Sequence, residues 1–170
     1  MVDSAKKISE LQGKLNTGNM KVVSDAIVLL RNEEPFRGAI GVLASLFDTT
    51  NDILIKDLIR SFLNDIKEPG AREEVVTEAK KGFKHETTSM LVSSCWQSGL
   101  DYSEFAADFA NIFITGDYIT ALVCFTVIEE SAGSIQISKK YDIILFLEKN
   151  KPKSSGEKAA LLQALITILS

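Results

Sequence analysis

The sequence predicts an all-α fold of about five antiparallel helical hairpins stacked side by side. Three observations carry that prediction: apolar residues recur at the 3.6-residue helical period, glycines punctuate the chain at fixed intervals, and a proline-led start repeats one hairpin length apart. Gly82, Gly99, Gly116 and Gly133 stand 17 residues apart, and the next step falls on Asn150, the other residue type that accepts a left-handed helix end. Twice that interval is the length of a helical hairpin. In the first half, Glu34-Pro35 recurs as Glu68-Pro69 after 34 residues, each time placing proline where a helix can begin.

Ten helices follow, near 4–16, 19–33, 35–48, 51–67, 69–83, 86–97, 101–114, 117–131, 134–149 and 154–169. Asn19, Asn51 and Asp117 are placed to cap the second, fourth and eighth, and Asp101 with Glu104 and Ser154 with Glu157 have capping-box spacing. The fourth helix shows the pattern plainly: Ile55, Leu58, Ile59, Phe62, Leu63 and Ile66 share one face, with Asp57, Arg60, Asn64 and Lys67 opposite. Gly38 and Gly41, expected one turn apart inside the third helix, suit a close approach between helices. Links of two to five residues make sequential helices antiparallel neighbours. An apolar stripe on one hairpin cannot bury itself, so stacking supplies the core.

The chain resembles the HEAT-repeat class of α-solenoids in its paired-helix period, its Glu34-Pro35 and Glu68-Pro69 starts, and the Asn19, Asn51 and Asp117 openings of second helices. The segment Ser98-Gly99-Leu100-Asp101-Tyr102 is similar to the inter-repeat turns of bacterial HEAT-like proteins. The resemblance implies a curved scaffold that binds other macromolecules, and no particular chemistry; a right-handed stack that binds through the inner row formed by the second helices is the expectation.

With 170 residues, 45% apolar, 25% charged and a net charge of -4, the composition suits one globular domain spanning 1–170. Met1 to Lys7 holds no apolar signal core, and the longest apolar run, Ile119 to Ile128 with its threonines, is half a membrane-spanning helix. A cytoplasmic protein with no membrane segment is the expectation. Cys95 and Cys124 have no metal-ligand spacing and read as buried thiols.

Charge is the most informative surface feature. Between His85 and Ser138 no lysine or arginine occurs, while Glu86, Asp101, Glu104, Asp108, Asp117, Glu129 and Glu130 do. In a stack that keeps sequence order in space, such a stretch creates a field that steers a basic partner. The stretch also holds Trp96, Tyr102, Phe105, Phe109, Phe113, Tyr118 and Phe125. Phe105, Phe109 and Phe113, four apart, read as core, whereas Trp96, Tyr102 and Tyr118 near helix ends can be half exposed. Trp96, Asp101, Tyr102, Asp117, Tyr118, Glu129 and Glu130 therefore form the candidate partner surface, aromatic anchors within an acidic rim. A solvated acidic face over an aromatic core is the alternative. At the carboxyl end, Ala159 to Leu169 is apolar nearly all round, so the helix 154–169 can either pack sideways within its own unit or present a second apolar face for self-association.

No catalytic constellation stands out. His85 is the only histidine, there is no phosphate-binding glycine loop or zinc spacing, and no pair of carboxylates has distinguishing context. A non-enzymatic protein-binding scaffold without cofactor or metal is the expectation. The competing class is nucleic-acid binding, since some HEAT-like proteins are alkylpurine DNA glycosylases. Grip on phosphates needs a continuous basic stripe; Lys80, Lys81 and Lys84, and Lys139, Lys140, Lys149, Lys151 and Lys153, flank the acidic stretch instead.

Overall fold

A computed structural model describes residues 2–32, 36–151 and 156–170. Among them lie ten α-helices and no strand. Their contacts divide the chain into two compact units, 1–98 and 99–170. The first holds α1 (Val2–Leu15), α2 (Met20–Leu30), α3 (Ala39–Thr49), α4 (Ile53–Asn64), α5 (Arg72–Ala79) and α6 (His85–Gln97). Sequential helices pair, α1 with α2, α3 with α4 and α5 with α6. Contacts also run from α1 to α3 to α5 and from α2 to α4 to α6. The second unit holds α7 (Ala106–Thr115), α8 (Tyr118–Ser131), α9 (Ile137–Asn150) and α10 (Glu157–Leu169). The pattern repeats there: α7 meets α8 and α9, and α10 meets α8 and α9.

Each helix buries the stripe its spacing dictates. On α4, Ile55, Ile59 and Leu63 are buried while Asp57, Arg60 and Lys67 beyond the helix end are exposed. On α7, Phe109 and Phe113 are fully buried and Tyr102 packs edge-on to Phe109 at 6.1 Å between ring centroids. Asn19 caps α2 by accepting from the Lys21 and Val22 amides, and Asp117 caps α8 by accepting from the Thr120 amide at 2.8 Å.

Several starts differ from expectation. Asp52, not Asn51, caps α4, its Oδ1 accepting from Leu54 and Ile55 at 2.9 and 3.2 Å. Asp101 accepts from the Ser103 amide at 2.9 Å at the head of a short 3₁₀ turn, Ser103–Phe105, and the α-helix proper begins at Ala106. Pro69 likewise opens a 3₁₀ turn, Pro69–Ala71, ahead of α5. Gly82 and Gly99 take left-handed backbone as their spacing suggested. Gly116 instead is extended, and Asn150 ends α9 with its amide donating to the Phe146 carbonyl. The Glu34-Pro35 start and the Ser154 cap lie outside the described residues.

Gly38 is not inside the third helix but precedes it, at φ +102, a conformation that a side chain would strain. The helix it opens has no cap of its own. Glu74 on α5 supplies one: its carboxylate accepts from the amides of Gly38 at 3.0 Å, Ile40 at 3.0 Å and Gly41 at 3.4 Å. A carboxylate there satisfies orphan amides and meets the positive end of the helix dipole. The expected close approach at Gly41 is real, but it admits a side chain, not a backbone: a Cβ there would stand 2.9 Å from a Glu78 carboxylate oxygen.

Other polar bonds also cross between hairpins at about one repeat's separation. Arg31 donates to Ser61 and pairs with Asp65; Lys67 donates to the Ser98 carbonyl. At the end of α3, Asp48 accepts from the Lys84 amide at 2.9 Å and the Thr87 hydroxyl at 2.7 Å, fixing the start of α6. Desolvation pushes the Asp48 carboxyl up, but the bonds from Thr87 and Lys84 and the charges of Lys84 and Lys56 outweigh it and hold it below the ordinary 3.8. A carboxyl whose folded pKa is depressed contributes its full stability above the unfolded value and loses it as pH falls through the folded one. Asp48→Asn is expected to cost about 1 kcal/mol at pH 7. Urea titrations at several pH values should find that difference closing below about 3.8 as the wild-type carboxyl protonates.

Candidate functional site

The acidic stretch converges best on α8. Asp117 starts the helix, and Thr120, Ala121, Cys124, Val127 and Ile128 form its buried face. At 100° per residue Ile119, Leu122, Thr126, Glu129 and Glu130 share the opposite face, with Tyr118, Val123, Phe125 and Ser131 at its edges. Ile119 is 56% exposed and Leu122 39%, with Tyr118 at 38% beside them; Glu129 and Glu130 are exposed at the far end. The outer face of α8 is thus apolar toward its start and acidic toward its end.

The packing of α10 places one lysine at the turn that leads into α8. Lys158 turns inward, its ammonium donating to the carbonyls of Ile114 at 2.8 Å and Gly116 at 2.6 Å, where it closes the end of α7. Desolvation lowers its pKa from the ordinary 10.5, against the opposing influence of Asp117 and Cys124. Lys158 also lies 5.9 Å from the centre of the Phe113 ring.

The residues expected to form the partner surface are distributed as follows. Asp117, Tyr118, Glu129 and Glu130 lie on or at the start of α8, and Asp101 is exposed in the turn before α7. Tyr102 is a correction: expected half exposed, it is 2% exposed, its ring held against Phe105 and Phe109, so it offers no anchor. Trp96 is 40% exposed on α6, within the first unit. Asp117 is committed to capping, which makes it a poor probe of surface charge.

Ile119 and Leu122 were missed. Their signal was present in the apolar run from Ile119 to Ile128, which covers more of the helix circumference than one buried face requires. The carboxyl-terminal helix buries one face against α8 and α9 within its own unit, the first of the two arrangements expected of it. Leu162, Leu165, Ile166 and Leu169 are buried, and Ala160, Gln163, Ala164 and Thr167 face outward. Among the described residues of that hairpin, the exposed large apolar side chains are Ile137, Tyr141 and Leu145 on α9.

Within α8, the Thr120 hydroxyl is fully buried and has no hydrogen-bond partner. Thr120→Val keeps the shape and removes the unpaired group, and is expected to stabilise the protein by about 1 kcal/mol in urea unfolding. His85 is exposed at the start of α6, and Cys95 and Cys124 are buried. Among the described residues no group of three or more histidine, cysteine or acidic side chains could hold a metal ion, and no helix is long and apolar enough to cross a membrane.

Comparison with known protein families, with curated proteins and with solved structures gives no match.

Proposed function

We propose that this chain is a non-enzymatic protein-interaction module of the cytoplasm, a right-handed HEAT-like α-solenoid that binds a basic segment of a partner protein on the outer face of α8. The observation that carries the reading is the joining, on one helix face, of exposed Tyr118, Ile119 and Leu122 with Glu129 and Glu130, inside a stretch without lysine or arginine. The pairing of helices, with contacts from hairpin to hairpin within each unit, supports the solenoid. Acidic groups at the end of α8 would raise the encounter rate with a basic partner, and the apolar start would supply the area that slows dissociation.

The test is a pull-down from native lysate at low and high salt, with nuclease-treated controls. Wild-type protein should retain polypeptides carrying basic segments, released by salt and indifferent to nuclease. The double variant Glu129→Lys and Glu130→Lys should lose them, with affinity falling about tenfold or more at low salt. Capture that depends on nucleic acid would contradict the reading and favour the phosphate-binding class.

A further inference from the structure

The second unit carries two exposed apolar stripes, one on α8 and one on α9. On α9, Ile137 is 86% exposed, Tyr141 63% and Leu145 51%, all within one side of the helix, while Ile143 and Leu147 on the other side are buried. Single exposed apolar residues are ordinary, but three aligned on one helix mark an interaction surface. α7 and α10 each meet both α8 and α9, which places α8 and α9 at opposite corners of the unit with their outer faces turned apart. Neither stripe can cover the other within one molecule.

The charges beside the two stripes are opposite in sign and uncommitted. Glu129 and Glu130, exposed at the end of α8, make no ion pair among the described residues. On α9, Glu148 is neutralised by Lys151 at 3.6 Å. Of the other charges on that helix Lys139, Lys140 and Lys149 outnumber Asp142, and none of them is paired among the described residues. The steps along the two helices also match: Tyr118, Leu122, Thr126 and Glu130 follow at intervals of four on α8, as Ile137, Tyr141, Leu145 and Lys149 do on α9. Ridges of that period interlock when two helices pack. Laid side by side in the same direction, Leu122 meets Tyr141, Thr126 meets Leu145 and Glu130 meets Lys149. Pairing α8 with α8 or α9 with α9 would instead join faces of one sign.

We infer that the α8 face takes α9 of a second copy of this chain. The inference rests on the reading of α8 as a face for a basic polypeptide, and it names α9 as such a segment. Because the two faces point apart, the contact is heterologous: each copy offers α8 to one neighbour and α9 to another, so association adds copies in a row and does not close a pair. The apolar steps supply the buried area, and Glu130 with Lys149 fixes the register.

The test is sedimentation velocity of the purified protein over a range of concentrations. Wild-type protein should grow past the dimer as concentration rises, and more readily at low salt. Leu122→Asp and Tyr141→Asp, both at exposed positions, should each be monomeric. Their mixture should give a one-to-one dimer that grows no further, since the first variant keeps α9 and the second keeps α8. Glu130→Lys should weaken association at least about tenfold at low salt, and adding Lys149→Glu to the same chain should restore it. A Leu122→Asp protein that still self-associates, a mixture that stays monomeric, or a charge swap that restores nothing would overturn the inference. Wild-type protein that stays monomeric while its α8 face retains basic polypeptides from lysate would overturn self-association alone; failure of both would remove the reading of α8 with it.

Discussion

Replacing Glu74 with alanine is expected to lower stability by about 3 kcal/mol, more than any other exposed or half-buried substitution on the first unit. The side chain serves three backbone amides of another hairpin, at Gly38, Ile40 and Gly41, and those donors are left without a partner when it is removed. Hydrogen bonds to an ionised acceptor are each about twice as strong as neutral ones, though their losses do not simply add. Glu74→Gln should recover about half the loss, since the amide oxygen still accepts but carries no charge to oppose the helix dipole. The neighbouring Glu73, 69% exposed and 3.9 Å from Arg37, provides the contrast: Glu73→Ala should change stability by less than about 0.5 kcal/mol. Urea unfolding gives the magnitudes, and hydrogen exchange locates them. Faster exchange at Gly38, Ile40 and Gly41 in the Glu74 variant is the expected signature, and unchanged exchange there would remove the capping role.

In the second unit the largest effect is expected from Phe109→Ala, at about 4 kcal/mol. The ring is fully buried and meets Tyr102 edge-on, so its removal leaves a cavity and strips the tyrosine of its neighbour. Phe105, four residues earlier and half-buried, should cost about half as much. Near-UV circular dichroism is a second check, because loss of Phe109 should weaken the Tyr102 signal while Phe105→Ala should alter it less. Equal costs at the two positions would mean that the greater burial of Phe109 does not govern its contribution to stability.

The helices were legible because their signal is local. Apolar spacing in α4 and α7 and the caps at Asn19 and Asp117 lie within a few residues of the structure they determine. What escaped depends on groups brought together from different hairpins. Nothing near Gly38 announces that its helix is capped by Glu74, 36 residues away. The same distance separates Asp48 from Lys84. Tyr102 was misjudged for a related reason: position near a helix end permits exposure, but the turn at Ser103–Phe105 folds the ring back onto Phe109. For α8 the acidic half of the surface was legible from charge counting alone. Its apolar half was hidden in a run that satisfies a buried helix equally well, and only the burial of Thr120, Ala121 and Cys124 settles which side of Ile119 and Leu122 faces out.

Site-specific photocrosslinking tests whether the proposed partner polypeptide sits on the outer face of α8. A benzoyl-phenylalanine placed at Leu122 should crosslink to protein in native lysate. That crosslink should weaken with added salt and disappear in the Glu129→Lys and Glu130→Lys background. The same group at Leu54, 66% exposed on α4 of the first unit, is the control and should give no salt-sensitive product. Crosslinks from Leu54 but none from Leu122, or products at Leu122 that are nucleic acid or indifferent to the charge reversal, would contradict the account.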